Sequence, residues 1–131
     1  MRVLVVDDQQ VFRRGLRSVL ERQGCEVADV ASGEAALACV SLLQPDVVVM
    51  DVNMPGMSGI EATRSLVRLA PGTAVVMLST FADEVIVDMA AHAGAADYVR
   101  KDAPLDEILS AIDAAASSCA FSLSGERRRA A

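Results

Sequence analysis

The sequence predicts one α/β domain built on a parallel sheet with helices on both faces, and three observations carry that prediction. Five short apolar runs alternate along the chain with amphipathic helical stretches. The runs are continuous, as in VLVV and VVVM, rather than apolar–polar alternations, which is how strands buried on both faces read. Hydrophobic residues make up 53% of the chain and aromatics only 3%, so the core must be aliphatic and alanine-rich. A length of 131 residues suits a single domain, long enough to withdraw roughly two-thirds of the unfolded chain's surface from water.

Arg2–Val6 is the first strand. Gln10–Gln23 follows as a helix with Phe12, Leu16, Val19 and Leu20 on one face, stopped by Gly24. Glu26–Ala31 is a second, weaker strand, and Glu34–Leu43 a helix whose Ala36, Cys39, Val40 and Leu43 share a face. Gln44-Pro45 breaks the chain before the most apolar strand, Val47–Met50, which ends at Asp51. A Gly/Pro/Met loop, Val52–Gly59, leads into a helix opened by Ser58 with Glu61 three residues later, the pattern of a capping box. Pro71-Gly72 ends that helix. Ala74–Leu78 is the fourth strand, Asp83–Ala93 a helix with Ile86, Met89, Ala90 and Ala93 inward, and Ala96–Val99 a short fifth strand. Pro104 stands in the first turn of a last helix, with Leu105, Ile108, Leu109 and Ile112 toward the core. Residues 117–131, rich in Ser, Gly and Arg, have no apolar periodicity and read as a tail or the start of a linker.

Eighteen acidic and 12 basic residues leave a net charge of −6. Residues 1–116 hold nine basic and 17 acidic groups, a balance of −8. That argues against direct nucleic-acid binding, which relies on Lys and Arg to neutralise phosphates. No apolar run approaches the ~18 residues of a membrane span. The N-terminus is too short in apolar residues for a signal peptide. Cys25, Cys39 and Cys119 are an odd number without ligand spacing, with only His92 to help, and read as small apolar residues of a cytoplasmic protein. Eleven of the 12 basic residues are arginine; the one lysine is Lys101.

Parallel strands place their C-terminal ends along one edge, where open α/β sheets bind ligands. Asp7 and Asp8 follow strand one, Asp51 ends strand three, Ser79 and Thr80 follow strand four, and Lys101 follows strand five. Singly, each has a plain explanation: a helix cap, a loop residue, a solvated lysine. Together, three carboxylates repel one another unless a cation compensates. A hard divalent ion held by oxygens would do so, and Mg²⁺ favours few protein ligands, with water and phosphate oxygens completing the shell. Metal, lysine and hydroxyl around a carboxylate is the equipment for forming an acyl phosphate.

The chain resembles the receiver domains of bacterial two-component response regulators. The resemblance rests on VLVVDDQ at 3–9, PDVVVMDVNMPGMSGIE at 45–61, VVMLST at 75–80 and GAADYVRKDAP at 94–104, in that order and spacing. It covers residues 1–116 and implies a doubly wound, five-stranded parallel sheet of order 2-1-3-4-5 with five helices, a flavodoxin-like, CheY-like three-layer sandwich. By position it implies that Asp51 accepts a phosphoryl group from a histidine kinase. It further implies that Mg²⁺ is held by Asp8 and Asp51 directly, by Asp7 mostly through water, and by the backbone carbonyl of Asn53. Lys101 and Ser79 would bind the phosphoryl group, and Ser79 and Tyr98 would form the switch. Homodimerisation on phosphorylation is a further possibility of that resemblance.

One departure stands out. Most receivers follow the lysine with a cis proline, whereas Asp102 follows Lys101 here and proline comes at Pro104. A cis bond without proline costs about 3 kcal/mol, so the geometry of the Lys101–Asp102 peptide is open at this point. The Lys-Asp-Ala-Pro form resembles the NarL/FixJ subgroup, whose members usually carry a DNA-binding helix-turn-helix. The expected output is therefore transcription through a domain absent from this chain, with residues 117–131 as the start of the linker. The alternative is a stand-alone phosphoryl-carrying or interaction module. A haloacid-dehalogenase-type phosphatase would need an acid two residues after its nucleophile. Asn53 stands there after Asp51, so turnover of outside substrates is not expected. A flavodoxin-like cofactor binder would lack its Ser/Thr/Gly phosphate loop, and neither a P-loop nor a GxGxxG is present.

Overall fold

A computed structural model of the chain describes the backbone of residues 1–81 and 83–130 and the side chains of residues 1–81 and 83–117. Strands and helices alternate strictly: β1 (Arg2–Val6), α1 (Gln10–Arg22), β2 (Glu26–Val30), α2 (Gly33–Leu43), β3 (Val47–Asp51), α3 (Gly59–Leu69), β4 (Ala74–Ser79), α4 (Glu84–Ala93), β5 (Asp97–Arg100) and α5 (Leu105–Ala130). All neighbours pair in parallel, in the order β2-β1-β3-β4-β5.

The two-residue period of a strand divides each apolar run between the two faces of the sheet. Leu4, Val6, Val48, Met50, Val75 and Met77 point into the layer shared with Ala36 and Val40 of α2, Ala62 and Leu66 of α3, and Ala90 and Ala93 of α4. Val3, Val5, Val47, Val49, Val76 and Leu78 point the other way, against Leu16 and Leu20 of α1 and Ile108 and Ile112 of α5. This explains why the runs are continuous: every residue of β3 and β4 is buried.

Local chemistry sets the helix starts. Ser32, Ser58 and Asp83 cap α2, α3 and α4 by accepting from the N–H groups of Ala35, Glu61 and Val85. Gly94 closes α4 at φ 107°, where a side chain would be strained.

Several expectations shift. Met89 and Leu105, read as inward, are 46% and 47% exposed. Helix α4 packs through a narrow stripe of Ile86, Ala90 and Ala93, and Met89 falls off that stripe. Leu105 is the first residue of α5, before the helix reaches the sheet at Ile108. The fifth strand runs one residue later than read, Asp97–Arg100. Helix α5 does not stop near Ala116: its backbone is helical to Ala130. Alanine and serine from Ala114 to Ser118 offer no helix breaker, and intrinsic propensity carries a helix without an apolar stripe. Side chains from residue 118 on, including Cys119, lie outside the described residues. The Lys101–Asp102 peptide is trans, since no cis peptide occurs among the described residues. Arg100 and Asp102 instead brace that turn with two hydrogen bonds, Nε to Oδ1 at 2.8 Å and Nη2 to Oδ2 at 2.7 Å.

Candidate functional site

Two strand ends supply the acidic centre. Asp7 directly follows β1, and its N–H continues the ladder to the Val30 carbonyl at 3.2 Å. Asp8 is the next residue in the same turn, and Asp51 is the last residue of β3. One carboxylate oxygen from each of Asp7, Asp8 and Asp51 lies within 4.8 Å of the others. Asp7 and Asp51 are buried, at 1% and 5% exposure, whereas Asp8 is open to solvent.

Lys101 reaches into this cluster from the far end of the sheet. Its backbone N–H donates to the Ser79 carbonyl at 2.8 Å, one step beyond β5. Its Nζ lies 2.7 Å from Asp7 Oδ2 and 3.5 Å from Asp51 Oδ2. It also donates to Gln9 Oε1 at 2.7 Å and sits 4.6 Å from the centre of the Phe12 ring. The Asp7 Oδ2 contact lacks hydrogen-bond angles, so that buried oxygen has a close cation but no donor. One ammonium for three carboxylates leaves the site under-neutralised. Burial, and then the charge of Asp7, push the Asp51 carboxyl up to about 6; Lys101 and the Asn53 N–H pull in the opposite direction without overcoming them.

The remaining expected residues divide. The Asn53 N–H lies 3.4 Å from Asp51 Oδ1, which puts its backbone beside the acidic cluster. Ser79 is fully buried at the end of β4, but its Oγ accepts from the Phe81 N–H at 3.2 Å rather than meeting the carboxylates. Tyr98 is half-buried on β5, and its hydroxyl donates to the Phe81 carbonyl at 2.7 Å. Ser79 and Tyr98 therefore hold the same residue of the β4–α4 loop from two sides. Thr80 is exposed.

Four residues belong to this site that sequence reasoning passed over. Gln9 and Phe12 hold Lys101, and Gln9 N–H also donates to Asp7 Oδ1 at 2.8 Å. Arg13 donates from Nη1 to the Asp7 carbonyl at 2.7 Å and from Nε to Asp29 Oδ2 at 2.6 Å. Asp29, on β2, also accepts from Arg17. Burial alone would raise the Asp29 carboxyl, but the two guanidinium groups outweigh it and hold it below its ordinary value. Gly59 is the fourth: a Cβ there would stand 2.0 Å from the Asp51 carbonyl oxygen. Only the spacing of Gln9, Phe12 and Arg13 after the acidic pair, on one side of α1, hinted at the first three.

This gives a sharp expectation for Gly59→Ala. The clash is with backbone, so the β3–α3 loop must move, at a cost of about 3 kcal/mol. Urea unfolding should show that loss, together with weaker divalent-cation binding. A variant as stable as the parent would mean that the loop yields freely.

The geometry now stands beside the relatives. A profile of the response regulator receiver domain matches residues 3–113. The chain belongs to the response regulator receiver family. It is 36% identical over 123 residues to the transcriptional regulatory protein DegU of Brevibacillus brevis, covering 92% of this chain and 52% of that protein. The receiver domain spans about half the length of the curated relatives it matches. Its fold matches the signal receiver domain of the response regulator NarL from Mycobacterium tuberculosis at a TM-score of 0.80 and 35% identity, covering 88% of this chain and 95% of that one. A response regulator from Burkholderia pseudomallei, solved with a phosphorylated aspartic acid, a calcium ion and citrate, matches at a TM-score of 0.81 and 27% identity, over 95% of this chain and 74% of that one. These relatives put the receiver in the NarL/FixJ subgroup, as the Lys-Asp-Ala-Pro stretch suggested. No helix among the described residues is long and apolar enough to cross a membrane.

Proposed function

We propose that this receiver takes a phosphoryl group from a histidine kinase onto Asp51, with Mg²⁺ bound at the acidic cluster, and changes conformation to control an output. The observation that carries the reading is a buried carboxylate at a strand end with two carboxylates and one ammonium around it. The relative with a phosphorylated aspartic acid and a calcium ion supports it by likeness.

The donor set fits a hard divalent ion. All candidate ligands are oxygens, and Asp7 Oδ2 is buried without a donor. Asp7, Asp8, Asp51 and the Asn53 carbonyl would hold Mg²⁺, which when bound supplies positive charge for phosphoryl oxygens. An Asp51 oxygen attacks the phosphorus, the new P–O bond forms as the P–N bond to the kinase imidazole breaks, and the electron pair leaves on nitrogen. Lys101 is close enough to neutralise charge on the transferred group. Ser79 is then the hydroxyl that turns toward the phosphoryl oxygens. Its release from the Phe81 N–H frees the loop that Tyr98 also holds, and so carries the signal to the β4–α4 surface. In a cytoplasmic regulator of this subgroup the output is transcription through a DNA-binding domain, and phosphorylation would favour a homodimer.

The test is phosphoryl transfer itself. Incubated with Mg²⁺ and acetyl phosphate or phosphoramidate, the protein should gain one phosphoryl group in mass, a gain that fails when EDTA replaces Mg²⁺ and in Asp51→Asn. No gain, or an equal gain in Asp51→Asn, would remove Asp51 from its role.

A further inference from the structure

We propose that Gln9 and Phe12 form a resting latch that holds the Lys101 ammonium on the β1–α1 side of the site and opposes its engagement of the phosphoryl group. The inference rests on the reading of Lys101 as a phosphate-binding residue. It adds that residues outside the acidic cluster set how readily that binding occurs.

An ammonium has three N–H donors. Around Lys101 Nζ the two short contacts, Asp7 Oδ2 and Gln9 Oε1 at 2.7 Å each, both come from the β1–α1 turn. The Phe12 ring, from the first turns of α1, stands at 4.6 Å and presents the negative face that attracts a cation. Asp51 gets only the stretched contact at 3.5 Å. The lysine side chain is 9% exposed, so water offers little competing solvation. The turn is itself held: Gln9 N–H is bound to Asp7 Oδ1 and Arg13 to the Asp7 carbonyl and Asp29. A phosphoryl group on Asp51 brings charged acceptor oxygens to a carboxylate that stands 3.5 Å from the ammonium at rest, against 2.7 Å for Gln9 Oε1. Closing that distance moves the ammonium from the position in which it bonds a neutral amide and faces a ring, neither of which gains anything from phosphorylation. Both groups therefore favour the resting state and act through Lys101 as positioning residues.

The experiment measures the affinity of the folded protein for beryllofluoride, a phosphoryl mimic, at saturating Mg²⁺, by amide NMR titration. Gln9→Met keeps length and the backbone bond to Asp7 but removes the acceptor. It should bind beryllofluoride about 3- to 10-fold more tightly, the range of one hydrogen bond's net worth. Phe12→Leu should shift the affinity in the same direction. Unchanged or weaker binding in Gln9→Met overturns the latch. In a Lys101→Ala background the Gln9→Met effect should vanish; if it persists, it does not run through the lysine and the proposal fails. Lys101→Met replaces Lys101→Ala should the latter not fold. Lys101→Ala alone separates the two readings: if it leaves beryllofluoride affinity unchanged, Lys101 does not bind the phosphoryl group, and the underlying reading fails first.

Discussion

Asp51→Asn should make the metal-free protein more stable at pH 7, by about 1–3 kcal/mol, while abolishing its capacity to take a phosphoryl group. The sign comes from proton linkage. The folded protein holds the Asp51 proton up to about pH 6, whereas an unfolded aspartate releases it near 3.9. Between those values the folded state binds more protons than the unfolded state, so stability falls as pH rises through that window and stays lower above it. The cause is burial of a carboxylate beside Asp7 with only a stretched contact to Lys101. Asparagine keeps the shape without the charge and is indifferent to pH there. Urea unfolding in EDTA at pH 4.5, 5.5 and 7 should therefore show the parent losing stability relative to Asp51→Asn as pH rises. Mg²⁺ should close the gap by stabilising the parent more than the variant, because a ligand bound only by the native state adds stability. If Asp51→Asn were the less stable protein at pH 7 without metal, the carboxylate would not be in the electrostatic debt described.

Lys101→Ala should have the opposite effect on the metal-free protein, with a loss of about 3 kcal/mol. Removing one partner of a buried ion pair leaves an uncompensated charge, which costs more than the pair itself contributed. Here the abandoned groups are Asp7, 1% exposed and already without a donor at Oδ2, and Asp51. Two rescues distinguish this from simple loss of packing. Saturating Mg²⁺ should restore much of the stability of Lys101→Ala, and Asp51→Asn in the same chain should restore part of it, because the residues are in contact and their effects are not additive. Equal unfolding midpoints for Lys101→Ala and its parent in EDTA would mean that the ammonium does not carry the charge balance of the cluster. Phosphoryl uptake by Lys101→Ala should persist at a reduced level, with the conformational response lost.

Much of the site is legible in the sequence, because parallel strands bring their C-terminal ends to one edge. Asp7, Asp51, Ser79 and Lys101 can be placed there from their positions at the ends of the apolar runs. Gln9, Phe12 and Arg13 are not legible in that way: their roles depend on how α1 leaves the sheet, and an arginine on a helix reads the same whether it is solvated or bound to a carbonyl beneath it. Gly59 is hidden in a loop where glycine has many explanations; only the 2.0 Å approach to the Asp51 carbonyl singles one out. Met89 and Leu105 mislead because periodicity marks a face and cannot say how much of it is covered. The end of α5 misleads because a missing apolar stripe is not a missing helix.

The sequence by itself determined the alternating β/α order, the continuous strands of a two-sided core, and the acidic residues and lysine at the strand ends. These come from local periodicity and from the geometry common to all parallel sheets. Only the tertiary structure decided which groups touch. It put the Lys101 ammonium closer to Asp7 and Gln9 than to Asp51, tied Ser79 and Tyr98 to Phe81, and made the turn after Lys101 trans, braced by Arg100 and Asp102. The physical reason is range. Strand and helix signals act over a few residues, whereas the partners of Lys101 lie 50 to 94 positions away, and their distances depend on the packing of the whole sheet.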